Sequence, residues 1–247
     1  MLFQDRFEAG RLLASRLSQF ANRNDVIVLG LPRGGVPVAF EVAKSLKAPL
    51  DVFVVRKLGV PGQEELAMGA IASSGIRVVN RSVVDALGIK NEEIERVALE
   101  QQVELERRER EYRGGRPTLE VRCRTAILVD DGLATGSSMR SAVAALRKRD
   151  PAQSVIAVPV AALSVFEQLK SEADQVVCLT TPEHFAAVGQ WYLDFRQTSD
   201  DEVRELLSSA NNSVIAWPGD SWRFSDLSGE CVSDSKPQNA KGEKSLT

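Results

Sequence analysis

The chain has 247 residues, with 31 Lys and Arg against 34 Asp and Glu, and a formal net charge of −3 at pH 7. Its 43% of hydrophobic residues is typical of a soluble globular protein with a sizeable core. Because His184 is the one histidine, a zinc site built from several histidines is excluded, and a Ser-His or Cys-His pair would depend on this residue. The near-neutral total gives no overall attraction to nucleic acids or anionic membranes.

Cysteine usage and the first residues bear on the cellular compartment. Cys123, Cys178 and Cys231 are odd in number and widely separated, which predicts buried thiols of a reducing compartment rather than a disulfide framework. The first residues carry charges where a signal peptide needs an apolar core, and no apolar run reaches the roughly 18 residues of a membrane span. We therefore expect a cytoplasmic protein with no membrane partner.

The first third of the chain alternates helical and strand patterns. Apolar spacing predicts an amphipathic helix over residues 5–20, a buried strand over 26–30, a helix over 36–46 and a second strand over 50–55. Residues 58–66 hold two Gly and one Pro with little periodicity, which predicts a mobile loop. Short strands are expected around 69–72 and 76–79.

Residues 91–113 are predicted to form a long charged helix, with Asn91 as its cap and Gly114 and Gly115 at its end. Its basic cluster at 107–116 could contact a polyanion. Interleaved glutamates favour a solvated face instead, so nucleic acid is not an expected partner. Its narrow apolar stripe fits either a homodimer contact or packing within the chain.

The following segments repeat a strand–helix pattern. Strands are predicted over 125–129, 154–160 and 176–179, and helices over 139–149, 163–170 and 199–209. This alternation predicts an α/β fold with a mostly parallel sheet covered on both faces. We expect one domain over residues 1–207. Residues 208–247, with nine Ser and few apolar residues, form a tail that we expect to be disordered.

The most informative stretch is ILVDDGLATGSSM, residues 127–139. A buried strand delivers Asp130 and Asp131 to its carboxyl end, and a loop of small residues then leads into a helix. Ligands of open α/β sheets bind at this edge, and a helix N-terminus suits a phosphate. Carboxylates beside that phosphate would repel it unless they bind a metal or hydroxyl groups, and the two hydroxyls of a ribose fit this requirement.

Other interpretations of this stretch are weaker. A strand ending in acidic residues before a glycine turn also occurs by chance in α/β proteins. A Walker P-loop is disfavoured because the phosphate-binding Lys is absent, and a dinucleotide fingerprint is disfavoured because GxGxxG is absent.

The motif ILVDDGLATGSSM resembles the phosphoribosyl-pyrophosphate (PRPP) motif of type I phosphoribosyltransferases. The resemblance covers about residues 1–207 and is closest to an incompletely characterised bacterial group that shares LPRGG, VVRKLG, ELAMGAI and WYxDF. It implies a type I phosphoribosyltransferase-like fold, in which a mostly parallel twisted sheet is flanked by helices and carries a small hood, here about residues 181–198.

The resemblance implies roles for the residues that match its motifs. Asp130 and Asp131 would hold the ribose hydroxyls, and the loop after them would wrap the 5′-phosphate. The loop residues are Ala134, Thr135, Gly136, Ser137 and Ser138. In family members resembling hypoxanthine-guanine enzymes, the position matching Ala134 carries an Asp that handles a ring proton. Since Ala134 cannot do this, a 6-oxopurine acceptor using that mechanism is not expected, although orotate-type members also carry Ala.

A second set of residues would meet the pyrophosphate. Pro32, Arg33, Gly34 and Gly35 match the family's pyrophosphate loop, where a cis peptide often turns backbone amides inward. Taken alone, LPRGG could also be a plain strand-to-helix turn, although this is the less favoured interpretation. Arg56 and Lys57 match basic residues beside the mobile loop, where the alternative is a solvated strand end. We group Lys57 with the two aspartates as catalytic. Mg²⁺ is implied as cofactor, held through the pyrophosphate, with Asp130 and Asp131 as candidate direct ligands.

The hood after the last predicted strand is the candidate acceptor pocket. Val188, Trp191, Tyr192 and Asp194 are its candidate residues, and either Trp191 or Tyr192 is expected to contact a base, since aromatic faces stack on planar heterocycles. Packing within the hood is the favoured role for Phe185 and Phe195, and His184 is expected at the surface.

These residues predict an Mg²⁺-dependent pentosyltransferase that moves 5-phosphoribosyl from PRPP to a nitrogenous base and releases pyrophosphate. The alternative is a regulatory protein of the same fold that senses PRPP or a nucleotide without turning it over.

Overall fold

The computed structural model describes residues 1–214, apart from the side chains of residues 65, 74 and 211–214. In chain order the elements are α1 (Arg6–Arg16), β1 (Val26–Gly30), α2 (Gly35–Leu46), β2 (Leu50–Val52), β3 (Val55–Val60), β4 (Gln63–Ala72), β5 (Ile76–Val79), α3 (Arg81–Leu87), α4 (Asn91–Arg113), β6 (Thr125–Val129), α5 (Ser137–Arg147), β7 (Gln153–Val160), α6 (Leu163–Leu169), β8 (Gln175–Thr180) and α7 (Asp200–Val214).

The central sheet has five parallel strands in the order β2-β1-β6-β7-β8, which confirms the predicted architecture. Strands β1 and β6 are buried along their whole length, because helices cover both faces. Gly30 pairs in register with Val129, so the segments that follow β1 and β6 meet at the same edge of the sheet. The topology therefore brings LPRGG and the Asp130–Asp131 pair together.

Alternate strand residues supply two separate apolar layers. Val26 and Val28 face a cluster that includes α1, α2, α4 and α7, whereas Ile27 and Leu29 face a cluster that includes α5 and α6. The uninterrupted apolar runs in the sequence are explained by this two-sided burial.

The prediction of a loop at residues 58–66 is wrong. These residues belong to a three-stranded antiparallel sheet in the order β3-β4-β5, and Val60 pairs with Gln63 across a two-residue turn formed by Pro61 and Gly62. Gly62 has φ +77°, the conformation that a Pro-Gly turn needs at its second residue. The glycines indicated a loop because they break periodicity, whereas here they serve a hairpin turn and a shift of register next to Gly59.

Several predicted boundaries also shift. Strand β2 ends at Val52 and β3 begins at Val55, where one strand was predicted over 50–55. Lys90, rather than Asn91, is the N-cap of α4. Helix α7 continues to Val214, so the expected tail does not begin at 208.

The longer α7 has a physical reason. Val203 and Leu207 are buried in the core and Ala210 packs against it, so the apolar face of the helix extends beyond the predicted end at residue 209. Residues 215–247 lie outside the described part of the chain, and the prediction of a disordered tail stays untested there. Within residues 1–214, no helix combines the length and apolar character that a membrane crossing requires.

The prediction of a thiol rather than a disulfide is confirmed at Cys178, which lies in the described part of the chain. Cys178 is a free cysteine, and burial raises its pKa to about 11. Cys231 lies outside the described residues.

A buried ion pair fixes α4 to the central sheet. The Arg113 guanidinium lies 2.9 Å from Asp51 Oδ1 of β2, donates to the Val52 carbonyl at 2.9 Å and contacts Glu109 at 2.7 Å. The side chains of Arg113 and Asp51 are 5% and 7% exposed. The position of α4, and of Tyr112 on it, therefore depends on this pair.

We expect Arg113→Gln to lower the free energy of unfolding by about 3–5 kcal/mol, because Asp51 would keep a buried charge without its partner. Chemical denaturation measures this loss. Arg110→Gln on the same helix is the matched control; its side chain is 71% exposed, and we expect a change within about 0.5 kcal/mol. Equal losses in the two variants would contradict the anchoring role.

Candidate active site

Two adjacent carboxylates occupy the end of β6. The Asp131 amide donates to Asp130 Oδ1 at 2.9 Å, and the Leu31 amide donates to the Val129 carbonyl at 2.9 Å. The second bond ties the start of the LPRGG segment to the end of β6. Both aspartates are largely buried and keep a small exposed area at the edge of the sheet; the Asp131 side chain is 14% exposed.

The two glycines of LPRGG lie against these carboxylates. A Cβ added at Gly34 would lie 2.8 Å from Asp131 Cγ and closer still to its Oδ2, and one added at Gly35 would lie 2.9 Å from Asp130 Cα. Gly34 has φ −60°, so close approach, rather than backbone conformation, requires glycine there. The peptide between Pro32 and Arg33 is cis, as the resemblance implied.

The pair is electrostatically unfavourable without a ligand. Burial raises the pKa of Asp130 well above its ordinary value, and the negative charge of Asp131 raises it further. Burial also raises the pKa of Asp131, while the Arg6 guanidinium opposes that rise. The site therefore favours groups that offer protons or positive charge to Asp130.

Arg6, at the start of α1, is a site residue that sequence reasoning missed. Its Nε and Nη2 each lie 2.8 Å from Asp131 Oδ2, and its Nη1 donates to the Arg196 carbonyl at 2.8 Å. Its guanidinium carbon lies 4.0 Å from the centroid of the Phe195 ring. Arg6 and Asp131 are 125 residues apart in the chain, and no local pattern signals such a contact.

The predicted phosphate loop leads from the carboxylates into α5. Gly136 is buried with φ +69°, and a Cβ there would lie 2.5 Å from Val165 Cγ1. The loop is held to β7 by the Leu133 amide, which donates to the Val160 carbonyl at 2.9 Å. Four loop residues are exposed: Ala134, Thr135, Ser137 and Ser138. The loop thus exposes the hydroxyl-bearing residues Thr135, Ser137 and Ser138 around the N-terminus of α5, a position that suits an anion.

Arg33 extends from the glycine loop toward α7. Its Nη1 lies 3.9 Å from Asp200 Oδ2, and the Tyr112 hydroxyl donates to Asp200 Oδ1 at 2.6 Å. Burial and the Asp200 charge raise the pKa of Tyr112, so this hydroxyl stays a donor. Asp200 is a second residue near the site that the sequence did not indicate.

The other predicted cations lie on β3. Arg56 Nε donates to Gln101 Oε1 of α4 at 2.7 Å, and its Nη1 lies 3.9 Å from Glu104. Burial lowers the pKa of Arg56. Lys57, next along the strand, is exposed. In this structure Arg56 is therefore bound to α4, and its contact with pyrophosphate stays a prediction.

The hood places the two adjacent aromatic residues differently. Tyr192 is buried, and its hydroxyl donates to the Asp131 carbonyl at 2.6 Å. Trp191 is half-buried and stacks on Phe185 with ring centroids 6.5 Å apart. Since Tyr192 is committed to Asp131, Trp191 is the better candidate for contact with an acceptor.

The remaining hood residues pack around the carboxylates and the N-terminus. A Cβ at Gly132 would lie 2.6 Å from Val188 Cγ1, and the Asp194 amide donates to the Gln4 carbonyl at 2.9 Å. His184 is exposed, as expected. Backbone bonds from Phe3 to Trp191 and from Leu193 to Phe3, each 2.8 Å, join the first residues of the chain to the hood.

No group of three or more metal-ligating side chains is found within the described residues. The Asp130 carboxylate is a protein group that the charge of a cation would stabilise. Carboxylate oxygens are suitable donors for Mg²⁺, which commonly keeps substrate phosphates among its ligands.

Comparison with known proteins gives consistent matches. A family model described as phosphoribosyl transferase domain matches residues 4–196. Two curated proteins from two strains of Mycobacterium tuberculosis, each named "Putative phosphoribosyl transferase", are 50% identical over 210 residues, which is 85% of this chain and 47% of theirs. A crystal structure of a Thermus thermophilus protein has 42% identity and a TM-score of 0.77, covering 85% of this chain and 99% of that one. The chain spans about half the length of the curated relatives that it matches.

We expect Gly34→Ala to lower the free energy of unfolding by about 1–3 kcal/mol, because the added methyl group overlaps the Asp131 carboxylate. A double-mutant cycle with Asp131→Ala, followed by chemical denaturation, tests the cause. The cost of Gly34→Ala should shrink in the Asp131→Ala background. An unchanged cost would mean that the methyl group disturbs something other than Asp131.

We expect Asp130→Asn to raise the free energy of unfolding at pH 7, because the raised pKa of Asp130 makes its ionised form costly in the folded chain. In the wild type this cost appears as the pH rises above about 4, the ordinary carboxyl pKa. The advantage of the variant should therefore be largest at neutral pH and shrink toward pH 4. Denaturation at several pH values measures it, with exposed Asp85→Asn as control. A destabilised variant at pH 7 would contradict the argument.

Proposed function

Because the chain belongs to the phosphoribosyl transferase domain family, we propose that it transfers 5-phosphoribosyl from PRPP to a nitrogenous acceptor and releases pyrophosphate. In this reaction the bond from ribose C1 to the pyrophosphate oxygen breaks, and a bond from C1 to the acceptor nitrogen forms with inversion. The acceptor gives up a proton.

The observation that carries the proposal is the convergence of three features at one edge of the sheet. The Asp130–Asp131 pair lies against Gly34 and Gly35 and leads directly into the loop before α5. Carboxylates suit ribose hydroxyls, a helix N-terminus suits the 5′-phosphate, and a glycine loop with Arg33 suits pyrophosphate. PRPP contains these three groups in one molecule.

The two aspartates would bind hydroxyls as acceptors. Burial and the neighbouring negative charge raise the pKa of Asp130, and hydroxyl donors would offset both effects, so bound ribose would stabilise the site. The loop from Ala134 to Ser138 would hold the 5′-phosphate through backbone amides and the hydroxyls of Thr135, Ser137 and Ser138. Ala134 offers no side-chain group to carry an acceptor proton.

On the pyrophosphate side, Arg33 and Lys57 would pair with the leaving group. Mg²⁺, held by pyrophosphate and Asp130, would lower the negative charge of that group. The β3–β4 hairpin carries Lys57, and its proposed role is to limit access of water to the reacting carbon.

The acceptor side would be formed by the hood. Trp191 offers a half-buried aromatic face, with Val188 and Asp194 nearby in the chain. A planar nitrogenous heterocycle fits such a face. A cytoplasmic location, a homodimer and a place in nucleotide metabolism stay predictions.

We expect the wild-type protein to bind PRPP in calorimetry and to release pyrophosphate when PRPP, Mg²⁺ and an acceptor from a panel of purines, pyrimidines and smaller heterocycles are supplied. Asp130→Asn should weaken PRPP binding by about 10- to 100-fold, because a charge-assisted hydrogen bond to ribose is lost. Glu167→Gln, on the surface of α6, is the control and should leave binding unchanged.

Two outcomes would count against the proposal. No binding of PRPP would contradict a PRPP site. Binding without pyrophosphate release across the whole panel would favour the regulatory alternative, in which the same site senses PRPP.

A further inference from the structure

The Arg6 guanidinium connects α1, the Asp131 carboxylate and the hood. We propose that Arg6 is a positioning residue for ribose recognition, which holds the Asp131 carboxylate in the one orientation that receives a ribose hydroxyl. This inference rests on the proposed function and adds a residue to it.

The contacts of Arg6 are directed to one carboxylate oxygen. Nε and Nη2 both lie 2.8 Å from Asp131 Oδ2. Arg6 thus leaves the other oxygen, Oδ1, for a ligand. The arginine side chain is 10% exposed and that of Asp131 is 14% exposed, so the pair is largely shielded from water.

The guanidinium is itself held in place. Its Nη1 donates to the Arg196 carbonyl at 2.8 Å, and its carbon lies 4.0 Å from the centroid of Phe195 and 5.9 Å from that of Tyr192. A cation held over aromatic rings and bound to a carbonyl has little freedom to turn. Arg6 can therefore transmit a fixed orientation to Asp131.

Two further contacts restrict Asp131. The Tyr192 hydroxyl holds its backbone carbonyl at 2.6 Å, and the Gly34 backbone closes one side of its carboxylate. Arg6 on Oδ2 and Gly34 beside the carboxylate thus restrict the side chain, and Tyr192 fixes the backbone that carries it. Asp130 differs, because its Oδ1 accepts from the Asp131 amide, and the Arg6 hydrogen bonds do not reach it. The loss of Arg6 should therefore affect recognition of one ribose hydroxyl more than the other.

The test compares ribose 5-phosphate with its 2-deoxy and 3-deoxy analogues by calorimetry. We expect the wild type to bind ribose 5-phosphate about 10-fold or more tightly than each analogue, since a hydrogen bond to a carboxylate is lost with each hydroxyl. Arg6→Gln should reduce one of these two ratios to near 1 and change the other little. A general loss of folding would lower all three affinities together and leave both ratios unchanged.

Arg11→Gln is the matched control on the same helix. Arg11 is 58% exposed and lies 3.8 Å from Glu41, away from Asp131, and its removal should leave both ratios at the wild-type values. Arg6→Lys keeps the charge without the planar fork and is the second variant if Arg6→Gln does not fold. It should lower the same ratio by a smaller factor.

Wild-type ratios in a folded Arg6→Gln or Arg6→Lys protein would overturn the positioning role and leave the proposed function intact. If the wild type bound ribose 5-phosphate no better than either deoxy analogue, the proposed ribose site would fail, and this inference would fail with it.

Discussion

Two carboxylates packed side by side at the end of a buried strand are the constraint on which the rest of the site depends. Burial and the neighbouring charge of Asp131 raise the pKa of Asp130, and among the described residues Asp131 is the one of the pair that a cation, Arg6, contacts directly. Such an arrangement is costly in a folded chain and is tolerated where a ligand uses it. The glycines at 34 and 35 belong to the same constraint, because a side chain there would displace the carboxylates.

The first residues of the chain, the hood and the start of α7 all lie near this pair or the loop beside it. The first residues of the chain pair with the hood, Arg6 joins the hood to Asp131, and Asp200 at the start of α7 lies beside Arg33 of the glycine loop. Helix α7 begins after residue 196, where the family match ends. Its contact with Arg33 links an element outside that match to the loop proposed to bind pyrophosphate.

Local patterns predicted most of the elements because each reflects burial that repeats along the chain. The continuous apolar runs of β1 and β6 and the charged α4 were recognisable for this reason. The β3–β4 hairpin was missed because its glycines and proline break periodicity, and its pairing depends on backbone hydrogen bonds that composition does not record. The end of α7 was placed too early because polar residues surround the few apolar residues of its last turns. The packing of those apolar residues on the core is visible only in the structure.

The sequence by itself determined the motifs: the Asp130–Asp131 pair, the loop of Ala134 to Ser138 and the glycines of LPRGG, each encoded within a few neighbouring residues. Only the tertiary structure decided how these are supported. Arg6 contacts the Asp131 carboxylate across 125 residues of chain, and Tyr192 contacts the Asp131 carbonyl across 61. Asp200 contacts the Tyr112 hydroxyl across 88 residues. Such contacts leave no periodicity or spacing in the chain, because the parallel sheet brings together segments that are distant in sequence.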